Sequence, residues 1–139
     1  PAPVAAIAFG SGPAWAAALE ASLLLKEVAR VPAEGMETRE GATSGMYGLG
    51  PGQLVLSLPI GTDPLLDEAE ELRAATGAQV LRAPAVSGAD RRLAALALFA
   101  APLALAVSIG CAAGLDVDRP DWSEAYLATA RKQGARDDR

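Results

Sequence analysis

The sequence predicts an α/β domain with three layers, in which helices lie on both faces of a small parallel sheet. Three apolar runs have the length of strands, at residues 4–9, 53–59 and 78–82, and each precedes a turn and a helical pattern. Strands that alternate with helices are joined by right-handed crossovers, which make neighbouring strands parallel. The fold class is therefore αβα with a parallel sheet.

The first helix follows the turn Gly10-Ser11-Gly12 and begins at Pro13, a residue that fits the first helical position. It is expected to run to about Arg30, because Pro32 pushes the residue before it out of the α region. Residues 32–52 are rich in glycine and small polar side chains. We interpret them as a functional loop or a short helix between two sheet elements.

The second helix begins at Pro64, with Asp63 as its N-cap, and closes at Gly77. After the third strand, residues 84–86 could add a short piece at an edge of the sheet, the one place where a proline is tolerated.

The segment 93–115 carries no charge and is long enough to span a membrane. It is mostly alanine, is interrupted by Pro102 and Gly110, and comes after strand-turn-helix units. These features favour a helix buried against the sheet, with Cys111 as a small core residue. We therefore expect no membrane partner.

Length and composition narrow the class of protein. A chain of 139 residues fits one domain, and a net charge of -5 without a basic cluster argues against nucleic acid as a partner. One cysteine and no histidine leave no ligand set for zinc, so neither a metal nor a cofactor is predicted. The single cysteine fits a reducing cytoplasm, and no signal peptide is expected ahead of the first strand, so that Pro1 begins a trimmed chain.

The residue that bears most on function is Glu27, which lies four residues from Leu23 and from Val31 and so shares a helix face with apolar side chains. One interpretation is an ion pair with Arg30, one turn away. The other is a desolvated carboxylate that acts as a general base. Spacing alone leaves both open.

Residues 18–27 (ALEASLLLKE), Ala33-Glu34 and residues 114–120 (GLDVDRP) resemble the sugar isomerase (SIS) family, and the similarity extends over about residues 7–122. The resemblance implies an SIS-type, flavodoxin-like fold. It also implies isomerisation of a sugar phosphate, in which Glu27 moves a proton between C1 and C2 through an enediol. By the same resemblance Ser11, Ser57, Thr62 and Thr43 are expected to bind the substrate.

The chain departs from the family pattern at two positions. The family's catalytic histidine falls on Thr43, and the lysine of its C-terminal tail falls on Ala125, with Lys132 the nearest lysine. The turn from Ser57 to Thr62 keeps a trace of the family's phosphate cradle, but Asp63 places a carboxylate where the phosphate would lie. Helix capping is therefore the favoured role of this turn.

Two classes of function follow from the resemblance. In the first, residues 1–122 are an SIS domain and 123–139 a tail, together forming the C-terminal half of a two-domain isomerase or deglycase whose first half holds the phosphate. In the second, the domain is a degenerate module that binds a sugar phosphate or a partner subunit without turnover. Either way we expect a homodimer or a pair with an upstream SIS half, and an isolated chain that is inactive.

Overall fold

The computed structural model describes residues 2–43, 45, 48–86, 90–120 and 122–137. The strands in this part of the chain are β1 (Ala5–Gly10), β2 (Ala33–Glu37), β3 (Gln53–Ser57) and β4 (Gln79–Arg82). The helices are α1 (Ala14–Glu27), α2 (Thr38–Gly41), α3 (Pro64–Ala74), α4 (Arg91–Ala97), α5 (Ala100–Ala112) and α6 (Ser123–Asp137).

The four strands form one parallel sheet in the order β2-β1-β3-β4. Phe9 of β1 pairs with Met36 of β2 on one side and with Ser57 of β3 on the other. Helices cover both faces, since α1, α4 and α5 pack on one and α3 on the other. The predicted three-layer α/β fold is confirmed.

Strand β2 and helix α2 occupy the segment that we interpreted as a functional loop or a short helix. The sequence of β2, Ala-Glu-Gly-Met-Glu, has no β-branched or aromatic residue, so strand propensity gives no signal there. Its pairing with β1 and its packing under α1 define it instead. The strand was missed because tertiary contacts, and not local preference, determine it.

Val86 continues the parallel pairing of β4 with β3 by one further bridge, so this segment adds a short piece at the edge of the sheet, as expected. Val86 forms an isolated parallel bridge with Ile60, and the Gly61 N–H donates to the Val86 carbonyl at 3.0 Å. This segment closes the carboxyl end of the sheet above the start of α3.

Helix α1 lies close to the sheet because all but one of its buried residues are small. The buried residues are Ala14, Ala17, Ala18, Ala21, Ser22 and Leu25. Gly35 of β2 has no room for a side chain, since a Cβ there would collide with the Ala18 carbonyl oxygen. The large apolar residues of α1 consequently lie on its outer side, where Trp15, Leu19 and Leu23 are exposed by 44%, 47% and 42%.

The uncharged segment forms two helices. Pro102 cannot donate to the Leu98 carbonyl, and α4 ends just before that point while α5 begins just after Phe99. The stretch Arg92–Ala112 is long and apolar enough to cross a membrane by length and composition, which is weak evidence because core helices pass the same test. Leu98 and Ala106 are buried against the sheet side, as predicted.

Burial of this segment is nevertheless only partial. Leu93, Leu96, Leu103 and Val107 remain exposed, and so does Cys111, which was expected to lie in the core. One sheet of four strands is too narrow to cover every side of α4 and α5.

The C-terminal tail is helical from Ser123 to Asp137. Two side-chain contacts hold its beginning. The guanidinium of Arg30 lies 5.6 Å from the centre of the Trp122 ring, and Arg119 lies 3.8 Å from Glu124.

Arg73 of α3 is a charged residue in the core. It is fully buried, its guanidinium carbon lies 3.6 Å from the centre of the Phe9 ring, and none of its side-chain nitrogens has a hydrogen-bond partner in the described residues. Burial lowers the pKa of Arg73 to about 10, and the Glu70 carboxylate opposes that shift. The aromatic contact compensates part of the desolvation cost.

A fully buried cation without a partner should be replaceable by an apolar side chain of similar length. We expect Arg73→Met to leave the free energy of unfolding unchanged or to raise it by about 1–2 kcal/mol, measured by urea denaturation. Arg92→Met, at an exposed arginine of α4, is the control and should change stability by less than about 0.5 kcal/mol. A marked loss of stability in Arg73→Met alone would mean that the buried guanidinium stabilises the fold.

Candidate functional site

The strand order produces a crevice at the carboxyl end of the sheet. From β1 the chain crosses to β2 on one side, and from β3 it crosses to β4 on the other, so β1 and β3 are neighbours at a topological switch point. Ligands of open α/β sheets commonly bind at such a point. The residues that follow β1 and β3 are therefore the first candidates for binding.

Ser11 follows β1 at this end of the sheet, and its contact is with the chain beyond β2. Its hydroxyl donates a hydrogen bond to the Thr38 hydroxyl at 2.8 Å, and Thr38 is fully buried at the start of α2. Thr38 was not among the predicted site residues, because only the β1–β2 pairing places it beside Ser11. The pair joins the ends of two adjacent strands.

The other residues predicted to bind substrate do not converge on one point. Ser57 is buried at the end of β3, on the α3 side of the sheet, and its hydroxyl has no partner among the described residues. Thr62 is exposed in the turn before α3. Thr43 is exposed after α2, where its hydroxyl donates to the Arg39 and Glu40 carbonyls at 3.3 and 3.0 Å.

Asp63 caps α3 as predicted. Its carboxylate accepts a hydrogen bond from the Leu66 N–H at 3.2 Å, and Pro64 occupies the first helical turn. Gly61, with φ +65°, makes the tight turn that precedes the cap. The charge favoured by the helix N-terminus is thus already supplied by the chain itself.

Glu27 is the last residue of α1 and lies at the other end of the molecule. Helix α1 has 14 residues, so about 20 Å separates its ends. Ser11 precedes the start of α1, and Glu27 follows at its end, beside the amino ends of the strands. The structure therefore does not bring Glu27 together with Ser11, Ser57 or Thr62.

The surroundings of Glu27 differ from both sequence interpretations. The carboxylate is exposed, so the chain by itself does not desolvate it. In the described part of the chain Glu27 makes no ion pair, and Arg30 stacks on Trp122 instead. Arg30 could not be paired with Trp122 from the sequence, because 92 positions separate them and the intervening α5 is what returns the chain to this end.

A cavity of about 310 Å³ opens at the same amino end of the sheet. Its polar lining residues are Glu34 and Gln53, and its walls are otherwise apolar, with Pro32, Ile7 and Leu49 among them. Across the described ranges, no group of three or more His, Cys, Asp or Glu side chains could hold a metal ion.

Comparisons with known proteins were made by sequence and by structure. No protein-family model matches the chain, and no curated protein matches it. Solved structures do match. Glucosamine-6-phosphate deaminase from Thermotoga maritima superimposes with a TM-score of 0.74 at 21% identity, over 85% of this chain and 38% of the other.

Two further solved structures also superimpose on this chain at low sequence identity. The C-terminal domain of glucosamine-fructose-6-phosphate aminotransferase from Francisella tularensis has a TM-score of 0.68 at 18% identity, covering 84% of this chain and 38% of its own. Tagatose-6-phosphate ketose/aldose isomerase from Escherichia coli has a TM-score of 0.60 at 14% identity, covering 83% and 38%. At these identities the similarity shows the fold, and the chain spans well under half the length of these proteins. The resemblance seen in the sequence is thereby confirmed at the level of structure: the chain has the SIS-type αβα fold that phosphosugar isomerases share.

Proposed function

We propose that this chain is a sugar-phosphate-binding domain of the SIS type that contributes Glu27 to an active site completed by a second domain of the same fold. The observation that carries the proposal is the position of Glu27. Its carboxylate is exposed and has no ion pair in the described chain, at the end of α1 opposite the Ser11–Thr38 crevice. A catalytic carboxylate at this exposed position needs a second domain to cover it and to supply the rest of the active site.

Glu27 would act as the base that moves a proton between C1 and C2 of the open-chain sugar. A partner surface that covers the end of α1 would remove water from the carboxylate, which favours proton abstraction. The chain has no histidine, and Ala125 stands where the family has its tail lysine. Ring opening and proton return then need acids from the second domain, so we expect turnover only in the complete assembly.

The second domain would pack on the outer side of α1 and α5. Trp15, Leu19 and Leu23 are exposed on α1, and Leu103 and Val107 are exposed on α5, the helix that packs beside it. Apolar surface of this kind commonly marks an interface. The partner is a second copy of this chain or an upstream domain of the same fold, since the similar proteins are more than twice as long as this chain.

A non-catalytic module is the second candidate, and two observations favour it. Asp63 occupies the α3 N-terminus, and Thr43, at the histidine position, is hydrogen-bonded to its own helix end. Such a module would bind a sugar phosphate without converting it.

In both cases we infer a soluble, cytoplasmic protein in which the apolar side of α4 and α5 faces protein and not lipid.

The first test of this proposal removes the charge of Glu27 and keeps its shape. Glu27→Gln should lower ketose–aldose conversion of hexose or aminohexose phosphates by about 100-fold or more in the complete assembly, because a general base is lost. Stability should change by less than about 0.5 kcal/mol, since the side chain is exposed and unpaired. Glu71→Gln, at an exposed carboxylate of α3, is the matched control. Full activity in Glu27→Gln would remove the catalytic role, and an inactive parent assembly would favour the module.

A second test addresses the pairing surface. Light scattering at micromolar concentration should give a mass above the 14.1 kDa of one chain, or a stoichiometric complex with the upstream domain. Leu19→Arg should abolish that association, because a charge would be buried in the interface. Leu72→Arg is the control, since Leu72 is exposed by 48%, as Leu19 is by 47%, but lies on α3 across the sheet. A monomer in the presence of every candidate partner would contradict the pairing.

A third test concerns the turn before α3. Phosphate affinity there should be weak, and Asp63→Ser should strengthen hexose phosphate binding by about two- to fivefold, because the serine keeps the cap while the competing charge leaves the helix N-terminus. Asp90→Ser, at the capping aspartate of α4, controls for loss of charge alone. Calorimetry that finds tight binding in the parent, and its loss in Ser57→Ala, would show that the turn is a working phosphate cradle.

A further inference from the structure

Arg30 has a left-handed backbone conformation, which residues other than glycine usually avoid. Its φ is +57°, and it is the only residue other than glycine with a positive φ in the described chain. The Val31 N–H donates to the Leu25 carbonyl at 3.0 Å, so Arg30 sits in the turn that closes α1. Glycine is the common residue at such a position, because the Cβ of an L-residue is strained there. Strain of this kind is a reason to look for a role of the side chain.

The side chain of Arg30 is held in place by an aromatic ring and not by an acid. Its guanidinium lies 5.6 Å from the centre of the Trp122 ring, within the range of a cation–π contact. Trp122 is in turn held edge-to-face by Tyr126, with ring centres 5.9 Å apart. No described carboxylate pairs with Arg30, not even Glu27 three residues before it.

This arrangement leaves the edge of the guanidinium open. Arg30 is half-buried, and its N–H groups make no hydrogen bond to the described residues. A cation–π contact is electrostatic and uses none of the N–H donors of the guanidinium. Two parallel N–H donors match two oxygens of a phosphate or carboxylate. The guanidinium is therefore placed by the Trp122 ring, and no described carboxylate uses its donors.

We propose that Arg30 binds the phosphate oxygens of the sugar phosphate at the Glu27 end of the domain, and that Trp122 is the positioning residue that holds Arg30. The proposal rests on the proposed function for the nature of the ligand. It gives the chain a phosphate contact of its own, since Asp63 already occupies the N-terminus of α3. It also gives the tail a role, because Trp122 leads into α6 and brings the tail to the site.

The two tryptophans allow a direct measurement. In the Trp15→Phe protein, Trp122 is the only tryptophan, so its fluorescence reports on the group stacked against Arg30. Titration with a hexose 6-phosphate and with inorganic phosphate, at constant ionic strength, should give a saturable change. The unphosphorylated hexose should give none.

Variants separate a binding role from a structural one. Arg30→Gly should keep the fold, with a melting temperature equal to or above that of the parent, because glycine suits the left-handed conformation. It should weaken phosphate binding by about tenfold or more, the effect of losing a charged hydrogen-bonding group. Arg30→Lys should be intermediate, and Trp122→Leu should weaken binding measured by calorimetry. Arg92→Gln removes one exposed positive charge from α4 and should change nothing.

Three results would overturn the inference: no response of Trp122 to either phosphate, equal affinity in Arg30→Gly, or equal loss in Arg92→Gln. The experiments also distinguish failure of this inference from failure of the proposed function. Turnover that depends on Glu27 but has an unchanged KM in Arg30→Gly would refute the role of Arg30 and leave the isomerase. Phosphate binding that depends on Arg30, in an assembly without turnover, would support Arg30 and refute the isomerase.

Discussion

The close contact of α1 with β1 and β2 determines much of this structure. Alanines line the inner side of the helix, and Gly35 leaves the Ala18 carbonyl almost touching the strand backbone. Near Gly35, where the helix is closest to the sheet, no large side chain fits between them, and Leu25 is buried only in the last turn of the helix. Trp15, Leu19 and Leu23 lie outside, so the exposed apolar surface of α1 follows from tight packing within the domain.

Helix α1 also separates the Ser11–Thr38 pair from Glu27. Its first turn follows the crevice in which Ser11 donates to Thr38, and its last residue is Glu27. A rigid helix of 14 residues cannot bend to bring its ends together. A site that uses both Glu27 and a crevice of this kind must therefore combine two domains. The apolar outer side of α1, which runs between the two ends, is suited to hold such domains in register.

Sequence patterns predicted the parts of the fold that have local signals. Strands β1, β3 and β4 are apolar runs, and Asp63 and Pro64 begin α3 as their chemistry requires. Strand β2 has no local signal of this kind. The break between α4 and α5 has only one, which is Pro102. Exposure was harder to predict, because an alanine-rich helix is apolar all round and its pattern does not show which side meets the sheet.

Sequence patterns single out residue types for a candidate site, whereas the arrangement of these residues comes only from the structure. Glu27 could be singled out from its place in the helix, yet the ion pair with Arg30 allowed by the spacing is not formed. Arg30 turns away because its left-handed backbone directs it to Trp122, a residue 92 positions later. Backbone conformation at a single residue and contacts across the whole chain are the two kinds of information that periodicity lacks.

In the part of the chain that the structure describes, Arg30 and Arg73 each lie near an aromatic ring, and their burial makes Arg30 the more accessible of the two to a ligand. The Arg73 guanidinium is enclosed at 3.6 Å from the centre of the Phe9 ring, so an anion could reach it only if α3 moved away from the sheet. Arg30 is only half-buried, so an anion that binds its N–H donors requires little additional desolvation. The ring contact restricts the guanidinium of Arg30 before the ligand arrives, which lowers the entropy lost on binding. An arginine that binds a ligand needs both partial exposure and a restricted orientation. Arg73 has a restricted orientation but is fully buried.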